Sequence, residues 1–168
     1  MSKHRDNRSG RNERQQNAPR ENSRARRSST NIPLHELTLK VRATGRHPWF
    51  YRKMVTKPNP PIPAGSICSV KDRDGRPCGS GFYNSRSELA LRMFADHTVT
   101  DPQRHFLEAL NRAVQLREQT LNLPAVTNAY RLVHAEADGF PGLILDKLGD
   151  AIVAQVASLG MRKQLEPL

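Results

Sequence analysis

A chain of 168 residues with a formal net charge of +11 has room for one ordinary domain or two small ones, and its field suits a polyanion. It contains no apolar run near the ~20 residues of a spanning helix and no apolar segment of the secretory type, so membrane and exported classes are set aside and the cytoplasm is expected. Two cysteines, Cys68 and Cys78, with no C-x-x-C and no His or Cys at zinc-ligand spacing, set aside a metal centre and are expected as free thiols.

The charge divides along the chain. Residues 1–30 carry nine Lys/Arg against three Asp/Glu, residues 31–95 eleven against four, and residues 96–168 seven against nine, so the positive field belongs to the first 95 residues. Residues 1–30 hold no Leu, Ile, Val, Phe, Trp or Tyr. Such a segment cannot offset its ordering entropy, and it is expected as a disordered basic arm that meets nucleic acid through phosphates. A merely solubilising extension is the alternative.

Residues 31–95 read as short strands separated by Pro and Gly. "NIPLHELTLKV" opens the ordered part, "PWFYRKMV" is aromatic and β-favouring, and "TKPNPPIPAG" is a proline-rich loop. "SICSVK" and "PCGSGFY" flank "DRDG", whose Asp74-Gly75 predicts a hairpin, and "SELALRMF" adds a strand. So many short strands in so short a stretch predict a small β-barrel or sandwich rather than a parallel sheet. Residues 96–168 differ. Asp101-Pro102 predicts a helix start, followed by Phe106, Leu107, Leu110, Val114 and Leu121 at helical spacing and a Glu108–Arg112 pair. The strands "AYRLVHA", "LILD" and "AIVAQVA" follow, the last two joined by a "KLGD" hairpin. The region reads as a strand–helix–strand α+β unit, a helix on a mainly antiparallel sheet.

Catalytic motifs are scarce. An EF-hand register through "VKDRDG" would place Val70 and Gly81 at its first and twelfth ligand positions, which excludes calcium. "GSGFYN" leads into more strand instead of opening a helix, so Gly79 and Gly81 are expected at a bulge rather than at a phosphate. Glu136 and Asp138 could form an acid/base pair on one strand face, about 7 Å apart. Asp138-Gly139 with Pro141-Gly142 is turn chemistry, however, and a structural role is expected there.

The stretch "GRHPWFYRK" is the most suggestive of RNA. Arg46, Arg52 and Lys53 can neutralise phosphates, and Trp49, Phe50 or Tyr51 could stack on an unpaired base. Trp49 is the only tryptophan and is expected in the barrel core, with stacking as the alternative. Together with His47, the hairpin residues Arg73 and Arg76, and Arg86 and Arg92 beyond them, these form the candidate RNA-binding set.

Three stretches in order, "RHPWFYRKM", "AGSICSVKDRDGRPCGSGFYNSRSELALRMF" and "YRLVHAEADGFPGLILDKLGDAIVAQVASLGMRK", resemble one family. It is the class I S-adenosylmethionine-dependent large-subunit (23S) rRNA cytosine-5 methyltransferases that begin with a PUA domain. The likeness runs over about residues 37–165. It implies an RNA-binding PUA barrel at 31–95, a linker domain at 96–168, and a Rossmann-like methyltransferase domain with its S-adenosylmethionine pocket beyond. That last domain is expected to be missing after "LGMRKQLEPL". The chain is therefore expected to be the RNA-recognition and linker part of an rRNA methyltransferase, from truncation or an incomplete gene model. It is expected to be inactive alone and to bind no cofactor or metal. The alternative is a standalone PUA-like RNA- or ribosome-binding protein, or a fragment with no role of its own.

Overall fold

The computed structural model of the chain describes residues 35–43 and 47–165, so the basic arm at 1–30 and Arg46 lie outside the described residues. The fold is mixed α/β, with two sheets and two α-helices among the described residues. Strands β1 (His35–Thr38), β2 (Trp49–Tyr51), β3 (Ser66–Lys71), β4 (Pro77–Tyr83) and β5 (Leu89–Ala95) form the first sheet, in the order β1-β3-β4-β5-β2.

The β3–β4 hairpin closes where Asp74-Gly75 predicted it. Asp72 Oδ1 accepts from the Asp74 and Arg76 N–H groups at 2.8 and 3.0 Å, and Gly75 adopts φ +79°. These bonds, led by that from Arg76, hold the Asp72 carboxyl below the usual carboxylate range. The expected irregularity at Gly79 and Gly81 is also present, with register shifts at Val70/Lys71 and Ser80/Gly81. Gly79 takes φ +123°, and a Cβ there would lie 2.0 Å from the Ala95 carbonyl oxygen, so only glycine fits.

The barrel expected from the sequence is not closed. Among the described residues the two edges of the sheet meet through the single bridge Leu39–Val55, just beyond β1 and β2, flanked by Lys40 N–H to Met54 O and Thr56 N–H to Thr38 O. The physical reason is short extended backbone: β2 lasts three residues before the chain tightens into a 3-10 turn at Arg52–Met54. β1 moreover pairs parallel with β3, within a stretch read from the sequence as a barrel or sandwich rather than a parallel sheet.

The inner face of this sheet buries Leu37, Leu39, Phe50, Val70, Tyr83 and Leu91. Its outer face is covered too. Ile67, Phe82 and Phe94 share one apolar core with Ala109, Ala113, Val133, Phe140, Leu143 and Met161 of the second unit. Phe106 stacks on Phe82 at 5.9 Å and lies 5.0 Å from Phe94. Burial on both faces explains why β4 is buried from Gly79 through Tyr83 with no polar alternation. The fully buried Ser80 is satisfied, since its hydroxyl donates to His97 O and accepts from Val99 N–H, fixing the connector to the second unit.

Helix α1 (Pro102–Gln115) starts as predicted, with Pro102 in its first turn and Asp101 Oδ1 accepting from Arg104 N–H at 3.1 Å. Its contact face differs from the expected one. Ala109 and Ala113 are buried with Phe106 and Leu110 alongside, whereas Leu107 and Leu121 point outward. Small residues let the helix approach the sheet closely. The expected Glu108–Arg112 pair is replaced by Arg104 Nε–Glu108 Oε1 at 2.8 Å.

The helix widens into a π turn at Leu116–Thr120 and stops at Asn122, φ 49°. Strands β6 (Ala129–His134), β7 (Leu143–Leu148) and β8 (Ala151–Val156) form an antiparallel sheet in that order, as read from the sequence. Helix α2 (Leu159–Leu165) was not anticipated. Ser158 Oγ accepts from Met161 N–H at its start, and the missing side chain of Gly160 admits the Phe82 ring. Among the described residues no helix is long and apolar enough to cross a membrane.

Candidate nucleic-acid interface

Strand β2 presents its three residues alternately, as pleating requires. Phe50 turns into the inner core, while Trp49 and Tyr51 face outward with 38% and 48% of their surface exposed. The expectation that Trp49 fills the core is thus corrected, because the strand gives that place to Phe50. Tyr51, named with Trp49 and Phe50 as able to stack, is the second outward aromatic, as strand alternation around Phe50 requires.

Trp49 stands opposite Arg92 in the β2–β5 register, and the guanidinium carbon lies 6.0 Å from the indole centroid. Both residues converge on one carboxylate oxygen of the second unit. Trp49 Nε1 donates to Glu136 Oε1 at 3.0 Å, and Arg92 Nη1 donates to the same atom at 2.9 Å. His47 packs edge-on against the indole at 6.2 Å, with Nδ1 3.2 Å from the Trp49 backbone nitrogen. The sequence held no signal that Glu136 would meet residues 44 and 87 positions earlier in the chain.

The remaining candidates fall into two groups. Arg52, Lys53 and Arg86 gather where the 3-10 turn meets the β4–β5 hairpin. Arg52 N–H donates to Glu88 O, and the Arg52 guanidinium pairs with the Glu88 carboxylate at 3.0 Å. Arg73 and Arg76 sit on the β3–β4 hairpin at the opposite end of β4, about 20 Å away for a strand of that length. There Asp74 offsets part of the positive charge, pairing with Arg42 at 2.6 Å and lying 3.6 Å from Arg73.

Glu136 and Asp138 do not share a strand face. They lie in a 3-10 turn, Ala135–Asp138, and serve different partners. Asp138 receives both guanidinium nitrogens of Arg117 at 2.8 Å and the His134 backbone N–H at 2.6 Å. The structural role expected for Asp138 is what this geometry contains. Among the described residues no three His, Cys, Asp or Glu side chains are placed to hold a metal ion. Gly79-Ser80-Gly81 lies inside β4 with its backbone against β5, and so forms no cradle for a nucleotide-like cofactor.

Comparison with known proteins agrees with this architecture. Residues 40–96 match the PUA-like domain family. The chain is 31% identical over 125 residues to the ribosomal RNA large subunit methyltransferase I of Shewanella denitrificans, covering 73% of this chain and 31% of that protein. The same enzyme of Aeromonas salmonicida is 31% identical over 122 residues, covering 72% of this chain and 31% of its own length. That of Vibrio cholerae is 27% identical over 123 residues, covering 73% and 31%. The chain therefore spans about a third of the length of these relatives.

Among solved structures, a SAM-dependent methyltransferase from Streptococcus mutans superposes with a TM-score of 0.59 at 12% identity, covering 76% of this chain and 35% of that one. A methyltransferase complexed with SAH gives 0.57 at 13% identity, covering 70% and 30%. At such identities these two show the shared fold alone. The chain thus carries a PUA-like domain and is homologous, over nearly three quarters of its length, to part of the ribosomal RNA large subunit methyltransferases I.

Proposed function

We propose that this chain is the RNA-recognition and linker portion of an S-adenosylmethionine-dependent methyltransferase that modifies a cytosine C5 of large-subunit rRNA in the cytoplasm. The observation that carries the reading is the relatives' match, which runs through the PUA-like sheet into the second unit and takes in 31% of their length. In this reading residues 1–30 are a phosphate-binding arm, residues 31–95 the recognition unit and residues 96–168 the linker. The cofactor pocket belongs to the part of the relatives outside the match.

Arg52, Lys53 and Arg86 neutralise phosphates beside β2, Trp49 and Tyr51 offer outward aromatic faces, and His47 and Arg92 set the Trp49 ring. Arg73 and Arg76 make a second, more distant phosphate contact, and Arg46 adds charge next to His47. Phosphate contacts of this kind position a duplex, while sequence is read on unpaired bases.

The test is RNA binding by the full chain across a salt series. Affinity for an rRNA helix should fall steeply with salt, and the Lys53→Ala and Arg86→Ala variants should each reduce the log–log slope by roughly 0.7–0.9. Deleting residues 1–30 should reduce it further. Affinity independent of salt, or equal affinity for an uncharged polymer, would refute the reading. Calorimetry with S-adenosylmethionine should register no binding to these 168 residues.

A further inference from the structure

We propose that the cleft between the five-stranded sheet and the second unit is a pocket for one unpaired nucleobase bearing an exocyclic amino group. This rests on the RNA-binding reading and deepens it by naming what the protein takes out of the RNA. The cleft encloses about 450 Å³, within the usual range of small-ligand sites. Its walls come from both units. Phe50, Met93 and Phe94 of β2 and β5 supply apolar surface, and His105 and Arg112 of α1 and Glu136 of the 3-10 turn supply polar groups. A flat heteroaromatic ring with a hydrogen-bonding edge fits such a lining.

Charge decides which end of a nucleotide enters. Glu136 and Asp96 line the cleft with Arg112, and Glu136 is already paired with Arg92, so among the described residues the lining holds no unpaired cluster of cations of the kind a phosphate needs. Burial, then the nearness of His97 and Arg112, lowers the affinity of His105 for a proton, so this imidazole acts near neutrality as an uncharged partner. The phosphates stay outside, where Arg112 is exposed at the rim and the Arg52–Lys53–Arg86 group lies on the same unit as β2.

Glu136 selects among bases. Its side chain is 18% exposed, and Oε1 already accepts from Trp49 and Arg92, yet a carboxylate accepts about four hydrogen bonds. The remaining capacity suits the amino groups of cytosine, adenine or guanine. Uracil offers one N–H between two carbonyl oxygens that repel the same carboxylate.

The experiment uses the full chain and a set of hairpin RNAs, identical except for one bulged C, A, G or U, or no bulge. Binding is read by RNA anisotropy and by the fluorescence of Trp49, the only tryptophan and a neighbour of Glu136. Bulged C, A and G should bind about tenfold more tightly than the uninterrupted hairpin, the effect of one charge-assisted hydrogen bond. Bulged U should stay within about twofold of it, the energy of a weak contact. Glu136→Gln should bring the G-to-U ratio close to one. Attaching a bulky maleimide to Cys78, which lines the same cleft, should remove the advantage of the bulged bases.

Equal affinity for all five hairpins overturns the pocket while leaving the RNA-binding reading intact. A base preference that survives both Glu136→Gln and the blocked cleft overturns it as well. Failure to bind any hairpin removes both proposals together.

Discussion

Replacing Arg117 by Met tests whether Asp138 is held as structure or kept for chemistry. The Arg117–Asp138 pair is bidentate at 2.8 Å, with side chains only 13% and 11% exposed. Arg117→Met keeps most of the aliphatic stem but leaves a largely desolvated carboxylate with the His134 N–H at 2.6 Å as a remaining partner. Stripping one partner from a buried pair costs about 3–5 kcal/mol, and partial water access places this case near the lower end, about 3 kcal/mol. For a domain of this size that corresponds to a fall in Tm of about 12 °C.

Urea unfolding followed by circular dichroism and Trp49 fluorescence reads the loss, which should appear in the midpoint with the slope unchanged. The double variant Arg117→Met/Asp138→Asn should be less damaged than the sum of its parts, because each single change already breaks the pair. A loss under about 1 kcal/mol, or strict additivity in the double variant, would refute the reasoning, since contacting residues couple by about 0.5–3 kcal/mol.

Other consequences follow from particular contacts. Gly160→Ala would place a Cβ 2.2 Å from the Phe82 ring, so α2 must shift off β4. A loss of about 1–3 kcal/mol in thermal or urea unfolding is expected, and an unchanged midpoint would contradict the packing. Asp72 contributes stability at pH values above the ordinary carboxylate pKa of ~3.9, and that contribution is lost as pH falls through its lowered folded value. Relative to the intrinsic exchange rate at each pH, protection of the Asp74 and Arg76 amides should fall in acid, and Asp72→Asn should show lower protection already at neutral pH. Identical protection in the two proteins would count against the turn.

Burial pushes the Cys68 thiol up to about 12, whereas Cys78 is only partly covered. A thiol reagent at mildly alkaline pH should therefore modify one site per folded chain, and both sites after unfolding. Simultaneous modification of both in the native protein would be inconsistent with the buried position of Cys68.

The sequence by itself determined the local elements. Pro and Gly punctuation marked β3, β4 and their hairpin, because Asp72 and Gly75 build that turn from their own side chain and backbone. Asp101-Pro102 set the start of α1, and the apolar runs after Thr127, with the KLGD turn, set the meander β6–β7–β8. Local hydrogen bonding and backbone sterics suffice for all of these.

Tertiary structure decided which faces meet, and with them the character of the candidate site. Whether Trp49 or Phe50 entered the core depended on where β5 pairs with β2, and strand alternation then turned Trp49 and Tyr51 outward. Glu136 became the shared partner of Trp49 and Arg92 only because α1 and the second sheet cover Phe82 and Phe94. The cations that read as one set were divided between the two ends of β4 by the same sheet. The barrel stayed open because β2 ran out after three residues. Contacts between residues far apart in the chain leave no periodic trace in it, since each depends on loop closures and face-to-face packing that no window of neighbours encodes.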